Sequence, residues 1–194
     1  YDYNPSNWDL NKYVDMSNVY CAVYQEELCG YMAGYAAVKL GYKNLGFLGG
    51  MAVPAVVRYG YGFVQGVDAA AADLGLTDVS LNYVYGGQFF GDADITAVMD
   101  TWYAGGTEVV FACGGGIYTS AVDAAKKVGA KVIGVELNAD AVRDARNNAK
   151  ANQIRNIQFY QNDAGKFLVE MAGQGAKADV VLMDPPRSGS TEEF

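Results

Sequence analysis

Gly114, Gly115 and Gly116 follow the apolar run VVFAC (109–113) and precede a helical pattern, TSAVDAA (119–125). Glycines at the end of a buried strand let the chain turn sharply and bring backbone N–H groups close to a ligand, and the next helix adds the positive end of its dipole. The next apolar run, KVIGVEL (131–137), ends on Glu136. A carboxylate at the tip of that strand is placed to accept hydrogen bonds from the two hydroxyls of a ribose. Together these residues read either as the floor of a nucleoside-handling pocket or as plain turn chemistry, since Cys113-Gly114-Gly115-Gly116 is not a full GxGxxG.

The elements that must position these residues alternate along the chain. VYCAVYQ (19–25), KNLGFLGG (43–50), VSLNYVYG (79–86), TEVVFACG (107–114), KVIGVEL, IQFYQND (157–163) and ADVVLMD (178–184) are short runs rich in β-branched and aromatic residues, and each predicts a strand. Between the second and third, Val56, Tyr59, Phe63, Val67, Ala70 and Leu74 recur at helical spacing, with Pro54 in the first turn and Gly75 as a stop. Asn138 is placed to cap a later helix, with Asp140 in its first turn, Val142, Ala145 and Ala149 on one face, and Arg143, Arg146 and Lys150 outward. Strands alternating with helices predict an α/β fold, a doubly wound, mainly parallel sheet in three layers.

Composition narrows the chemistry. The 194 residues are 51% hydrophobic and carry a net charge of −8, so no general basic face exists to neutralise phosphates, and nucleic acid is not an expected partner. No apolar run reaches the length of a membrane span, and a membrane partner is likewise not expected. Cys21, Cys29 and Cys113 lack metal-type spacing and read as small core residues. The absence of histidine removes Ser/His/Asp and Cys/His catalysis and every His-ligated metal site. No metal ligands are assigned. The composition also changes near Glu136: 14 of the 15 tyrosines lie before it, while the 59 residues from it onward hold 7 of the 14 Lys and Arg.

Two resemblances divide the chain at that point. EELCGYMAGYAAVKLGYKNLGFLGGMAVPAVVRYGYGFVQGVDAA, VVFACGGGIYTSAVDAA and KVIGV resemble the basic membrane protein family, the substrate-binding lipoproteins of bacterial nucleoside importers with a type I periplasmic-binding fold. That resemblance implies a purine nucleoside as ligand, held at Phe89, Phe90, Gly114 to Gly116 and the region after KVIGV, where Glu136-Leu137-Asn138-Ala139 replaces the family's VDxDQ. From about residue 132, VIGVELNADAVRDARNNAKANQIRNIQFYQNDAGKFL and ADVVLMDPPRSGSTEEF resemble the S-adenosylmethionine domain of RNA uracil-5-methyltransferases. This second resemblance implies that Glu136 holds the cofactor ribose, Asp163 approaches the adenine amino group and Asp184 faces the transfer centre. The family's CGxGT is met by Cys113-Gly114-Gly115-Gly116-Ile117, so both families claim one strand-turn-helix-strand unit. The reading is of an engineered chimera: residues 1–42 a remnant of the binding protein's first lobe, 43–135 half of its second lobe, and 136–194 the methyltransferase-like half of the same sheet.

The parents disagree about topology. Each asks for a different strand, 43–50 or 178–184, at the same place beside 107–114. A flavodoxin-like core order 2-1-3-4-5 from 43–50, 79–86, 107–114, 131–137 and 157–163 is expected, with 178–184 added beyond 157–163 or swapped into a homodimer. Residues 1–42 are expected on a sheet edge or exchanged between copies. Three functions follow: a scaffold without evolved catalysis and with no required cofactor, located in the cytoplasm as expressed; a residual binder of a purine nucleoside or S-adenosylmethionine through Gly114 to Gly116, Glu136, Asn138, Asp163 and Asp184; and an RNA methyltransferase, whose nucleophile region after DPPR is not in the chain. Beside these stand plainer readings, with Asp163 a loop acid, Asp184 a strand-end acid before a rigid Pro-Pro turn, and Phe89 and Phe90 packing residues.

Overall fold

The structure, a computed structural model, describes residues 24–130, 132–155, 157–163, 166–167, 170–171 and 180–181. The expected strand at 19–25 falls largely outside them, and its last two residues, Tyr24 and Gln25, lead without strand structure into a helix. In chain order the elements are α1 (Glu26–Lys39), β1 (Asn44–Gly49), α2 (Pro54–Leu74), β2 (Ser80–Tyr85), α3 (Ala93–Ala104), β3 (Val109–Cys113), α4 (Tyr118–Lys127), β4 (Val132–Glu136), α5 (Ala139–Ala151), β5 (Ile157–Gln161) and β6 (Val180–Val181). All pairings are parallel, in a six-stranded sheet of order β2-β1-β3-β6-β4-β5. The fold is α/β, as the alternation of runs predicts.

The first five strands keep the expected relative order, but β6 does not lie beyond β5. It pairs with β3 at Val110↔Val180 and Phe111↔Val181, and with β4 at Val132↔Val180 and Ile133↔Val181. The expectation that this strand would stay away from 107–114 is therefore overturned. The physical reason is that β1 holds one edge of β3 over five residue pairs, Leu45↔Val109 to Gly49↔Cys113, leaving the opposite edge open to a strand whose valines suit the buried centre of a parallel sheet. β6 takes that edge and β4 moves one place outward.

Phe47, Phe63 and Phe111 form the centre of one core layer, with Phe63 and Phe111 stacked at 5.3 Å and Phe47 edge-on to Phe111 at 5.7 Å. α2 supplies Val56, Phe63, Val67 and Ala70 to this layer, as its spacing predicts, while Leu74 near its end is exposed. Gly75 ends it in the left-handed conformation, φ 64°. A second layer, Leu48, Ile95, Met99, Val110, Ile117 and Ala121, lies under α3 and α4. Past residue 130, only Val142 and Phe167 are core residues among those described.

α1 packs on α2 within the same chain, not on a sheet edge. Gly30 and Gly34 of α1 meet Gly62 and Gly66 of α2 with backbone touching backbone. A Cβ on Gly62 would sit 1.9 Å from the carbonyl oxygen of Glu27, and one on Gly30 would sit 2.0 Å from that of Tyr59. The buried residues of α1, Glu26, Gly30, Gly34 and Val38, recur every fourth position, so one stripe carries the whole contact. Glu26 closes its end, accepting from Arg58 Nε at 2.5 Å. Gly62→Ala is expected to lower unfolding free energy by roughly 2–3 kcal/mol in urea titration, although alanine is intrinsically the better helix former by about 1 kcal/mol. An unchanged or raised midpoint would show that the helices do not touch there.

Candidate functional site

The C-terminal ends of β1, β2 and β3 bring three glycine-containing loops together. Gly50 N donates to Cys113 O at 2.8 Å, Gly86 N to Gly49 O at 2.8 Å, and Gly87 N to Gly50 O at 3.1 Å, so the sheet ladder continues into the loops. Gly114 and Gly115 have φ of 148° and 51°, values that favour glycine, and a Cβ on Gly114 would lie 2.9 Å from the backbone of Gly50. The expected sharp turn is present.

Its occupant is the chain itself. The β2–α3 loop folds across the turn: Gly116 N donates to Phe89 O at 2.8 Å, and Phe90 and Gly116 form a parallel bridge. The ring of Phe89 lies against Gly50 and Gly114, so close that a Cβ on Gly50 would sit 2.5 Å from Phe89 Cδ1. The loop is tied down by Ser120, whose Oγ accepts from Asp92 N and donates to Asp92 O, each at 3.1 Å. Asp92 also caps α3, accepting from Ile95 N at 2.8 Å. Phe89 rests on these glycines with 39% of its surface exposed, and Phe90 is 62% exposed.

Glu136 and Asn138 stand at the same edge of the sheet, at the end of β4. Glu136 is exposed, but its Oε1 accepts from Asn138 N at 2.7 Å, turning the carboxylate back on its own strand-to-helix junction. Asn138 Oδ1 accepts from Asp140 N and Ala141 N at 2.9 and 3.1 Å, the helix cap its position predicts. Because β6 separates β3 from β4, the glycine turn and Glu136 are two strand spacings apart, about 10 Å, instead of one. Asp163, half-buried after β5, accepts from Lys166 N at 3.1 Å through its carboxylate and from Phe167 N at 2.9 Å through its carbonyl, opening the next turn. Asp184 lies outside the described residues. The structure thus brings Phe89, Phe90 and the glycines together, and sets Glu136 and Asn138 apart from them.

The model of the family described as ABC transporter substrate-binding protein PnrA-like matches residues 9–179. The chain belongs to that family. The PnrA-like chain is also similar, over its C-terminal part, to curated proteins of a different kind. An uncharacterized RNA methyltransferase of Streptococcus mutans is 46% identical over 79 residues, covering 41% of this chain and 17% of that protein. One of Caldanaerobacter subterraneus is 41% identical over 93 residues, covering 47% and 20%. The chain therefore spans about a fifth of the length of these relatives. Among solved structures, an ABC transporter solute-binding protein of Aeropyrum pernix superposes with a TM-score of 0.53 at 18% identity, over 83% of this chain and 46% of that one, which shows the shared fold.

The glycine turn also contains a thiol. Burial, with the carboxylate of Glu26 adding to it, pushes the Cys113 thiol up to about 12. Nothing in the sequence marks the Glu26 charge as acting on this thiol; the fold of α1 onto α2 brings it into electrostatic range. Burial, with Glu26 again adding to it, raises Cys29 as well. The reactive form is the thiolate, so at pH 8 iodoacetamide is expected to alkylate Cys113 at least about a hundredfold more slowly in the native chain than in urea. Peptide mapping by mass spectrometry gives both rates, and comparable values would mean an accessible, ionised Cys113.

Proposed function

We propose that this PnrA-like chain is a chimeric α/β scaffold without evolved catalytic function, in which binding-protein and methyltransferase-like segments share one engineered sheet. The observation that carries this reading is the closed glycine turn. Its Gly116 N–H is spent on the Phe89 carbonyl, and the Phe89 ring lies where a ligand would approach Gly50 and Gly114. The neighbouring Cys113 is held as a neutral thiol, which suits packing and not nucleophilic attack. The carboxylate that either parent would use on a ribose is turned onto Asn138 N.

A second reading is residual binding of a purine nucleoside or S-adenosylmethionine, and it has one feature in its favour. Phe90 and Glu136 are both exposed at the C-terminal edge of the sheet, offering an aromatic face and a carboxylate. A surface of this kind gives little enclosure, and enclosure is what usually yields affinity.

Titration calorimetry of the folded chain against guanosine, adenosine and S-adenosylmethionine separates the two. No saturable heat at millimolar ligand is the expected result. Saturable heat that disappears in Glu136→Ala would replace the scaffold reading with the binding one. Transfer of labelled methyl groups to uridine-containing RNA would overturn the non-catalytic reading altogether.

A further inference from the structure

A cavity of about 610 Å³ lies against β5 and the C-terminal half of α5, lined by all four residues from Ile157 to Tyr160. Successive strand residues point to opposite faces of a sheet, so four in a row can line one cavity only if it runs along the strand's edge. β5 is the terminal strand of the sheet. Asn162 N donates inward to Glu136 O, which fixes the phase: Ile157, Phe159 and Gln161 turn their backbone N–H and C=O groups outward. The Phe159 carbonyl confirms it by accepting from Arg146 Nη2 at 2.6 Å.

The charge along this edge opposes that of the whole chain. Arg146, Lys150 and Arg155 line the cavity and, among the described residues, no carboxylate does, in a chain of net charge −8. The nearest acids of α5, Asp140 and Asp144, are engaged by Arg143. A second copy of β5 is a poor occupant, because edge-to-edge pairing would set two such cation groups against each other. Single-stranded nucleic acid would need a free aromatic face, and the Tyr160 ring is packed on Phe167 at 4.7 Å with its hydroxyl donated to Gln158 Oε1.

We propose that the β5 edge takes an acidic, extended peptide by strand addition. The outward backbone groups of Ile157, Phe159 and Gln161 pair with the incoming main chain, and Arg146, Lys150 and Arg155 pair with its Asp or Glu side chains. Arg146 then exchanges the Phe159 carbonyl for a peptide carboxylate.

The test is fluorescence anisotropy of a labelled peptide, Ac-EVEIEV-NH2, titrated with the whole chain at low salt. Saturable binding is expected, weakened by about tenfold or more in the Lys150→Glu, Arg155→Glu double variant and by N-methylation of alternate peptide amides. Both substituted residues lie at the surface, and circular dichroism checks that the variant is folded. No saturation, equal binding of the N-methylated peptide, or tighter binding of an oligouridylate of matched charge would each overturn the proposal.

Discussion

β3 has two edges, and three strands have a claim on them. β1 takes one edge over the full length of β3, an arrangement enforced by the ring cluster of Phe47 and Phe111 beneath it. Only the other edge remains for β4 and β6, and β6 occupies it through two residue pairs. β4 is thereby pushed from the glycine turn that precedes it in the chain. The spacing of every group at the C-terminal edge of the sheet follows from that competition.

The two halves of the sheet are unequally supported. On one side, α1 and α2 cover β1 and β3 with aromatic rings, and their glycines let the helix backbones touch. Close packing of this kind tolerates little change in volume. On the other side, Val142 is the buried residue of α5 among the described residues, and the outward face of α5 carries surface ion pairs such as Arg143 with Asp140. Exposed pairs of this kind contribute little stability.

Much of this was legible in the sequence. The cap at Asn138, the stop at Gly75, most of the apolar stripe of α2 and the five strand runs between 43 and 163 are local signals, set by residues within a few positions of one another, and are found where the spacing predicts them. The place of β6 was not legible, because ADVVLMD suits any buried position in a parallel sheet and its neighbour is chosen by which edge is left open. The role of Phe89 was only half legible. The run itself does not show its contact with Gly50 and Gly114, which depends on a loop from one strand crossing the turn of another. The effect of the Glu26 charge on Cys113 carries no sequence signal at all, since an acid at the start of a helix is ordinarily a dipole partner in water.

A glycine turn between a strand and a helix is a shape, and two unrelated binding chemistries can use it because backbone N–H groups and a helix dipole carry no preference for one nucleoside ligand over another. Selectivity comes from what stands around the turn. Here the covering loop, with Phe89 and Phe90, lies between β2 and α3. The carboxylate, Glu136, ends β4. In this chain the loop is joined to the turn through Gly116 N and the Phe89 carbonyl, and the acid stands two strands away beside its own helix cap. The sheet keeps the glycine turn and Glu136 at the same edge and sets them two strands apart.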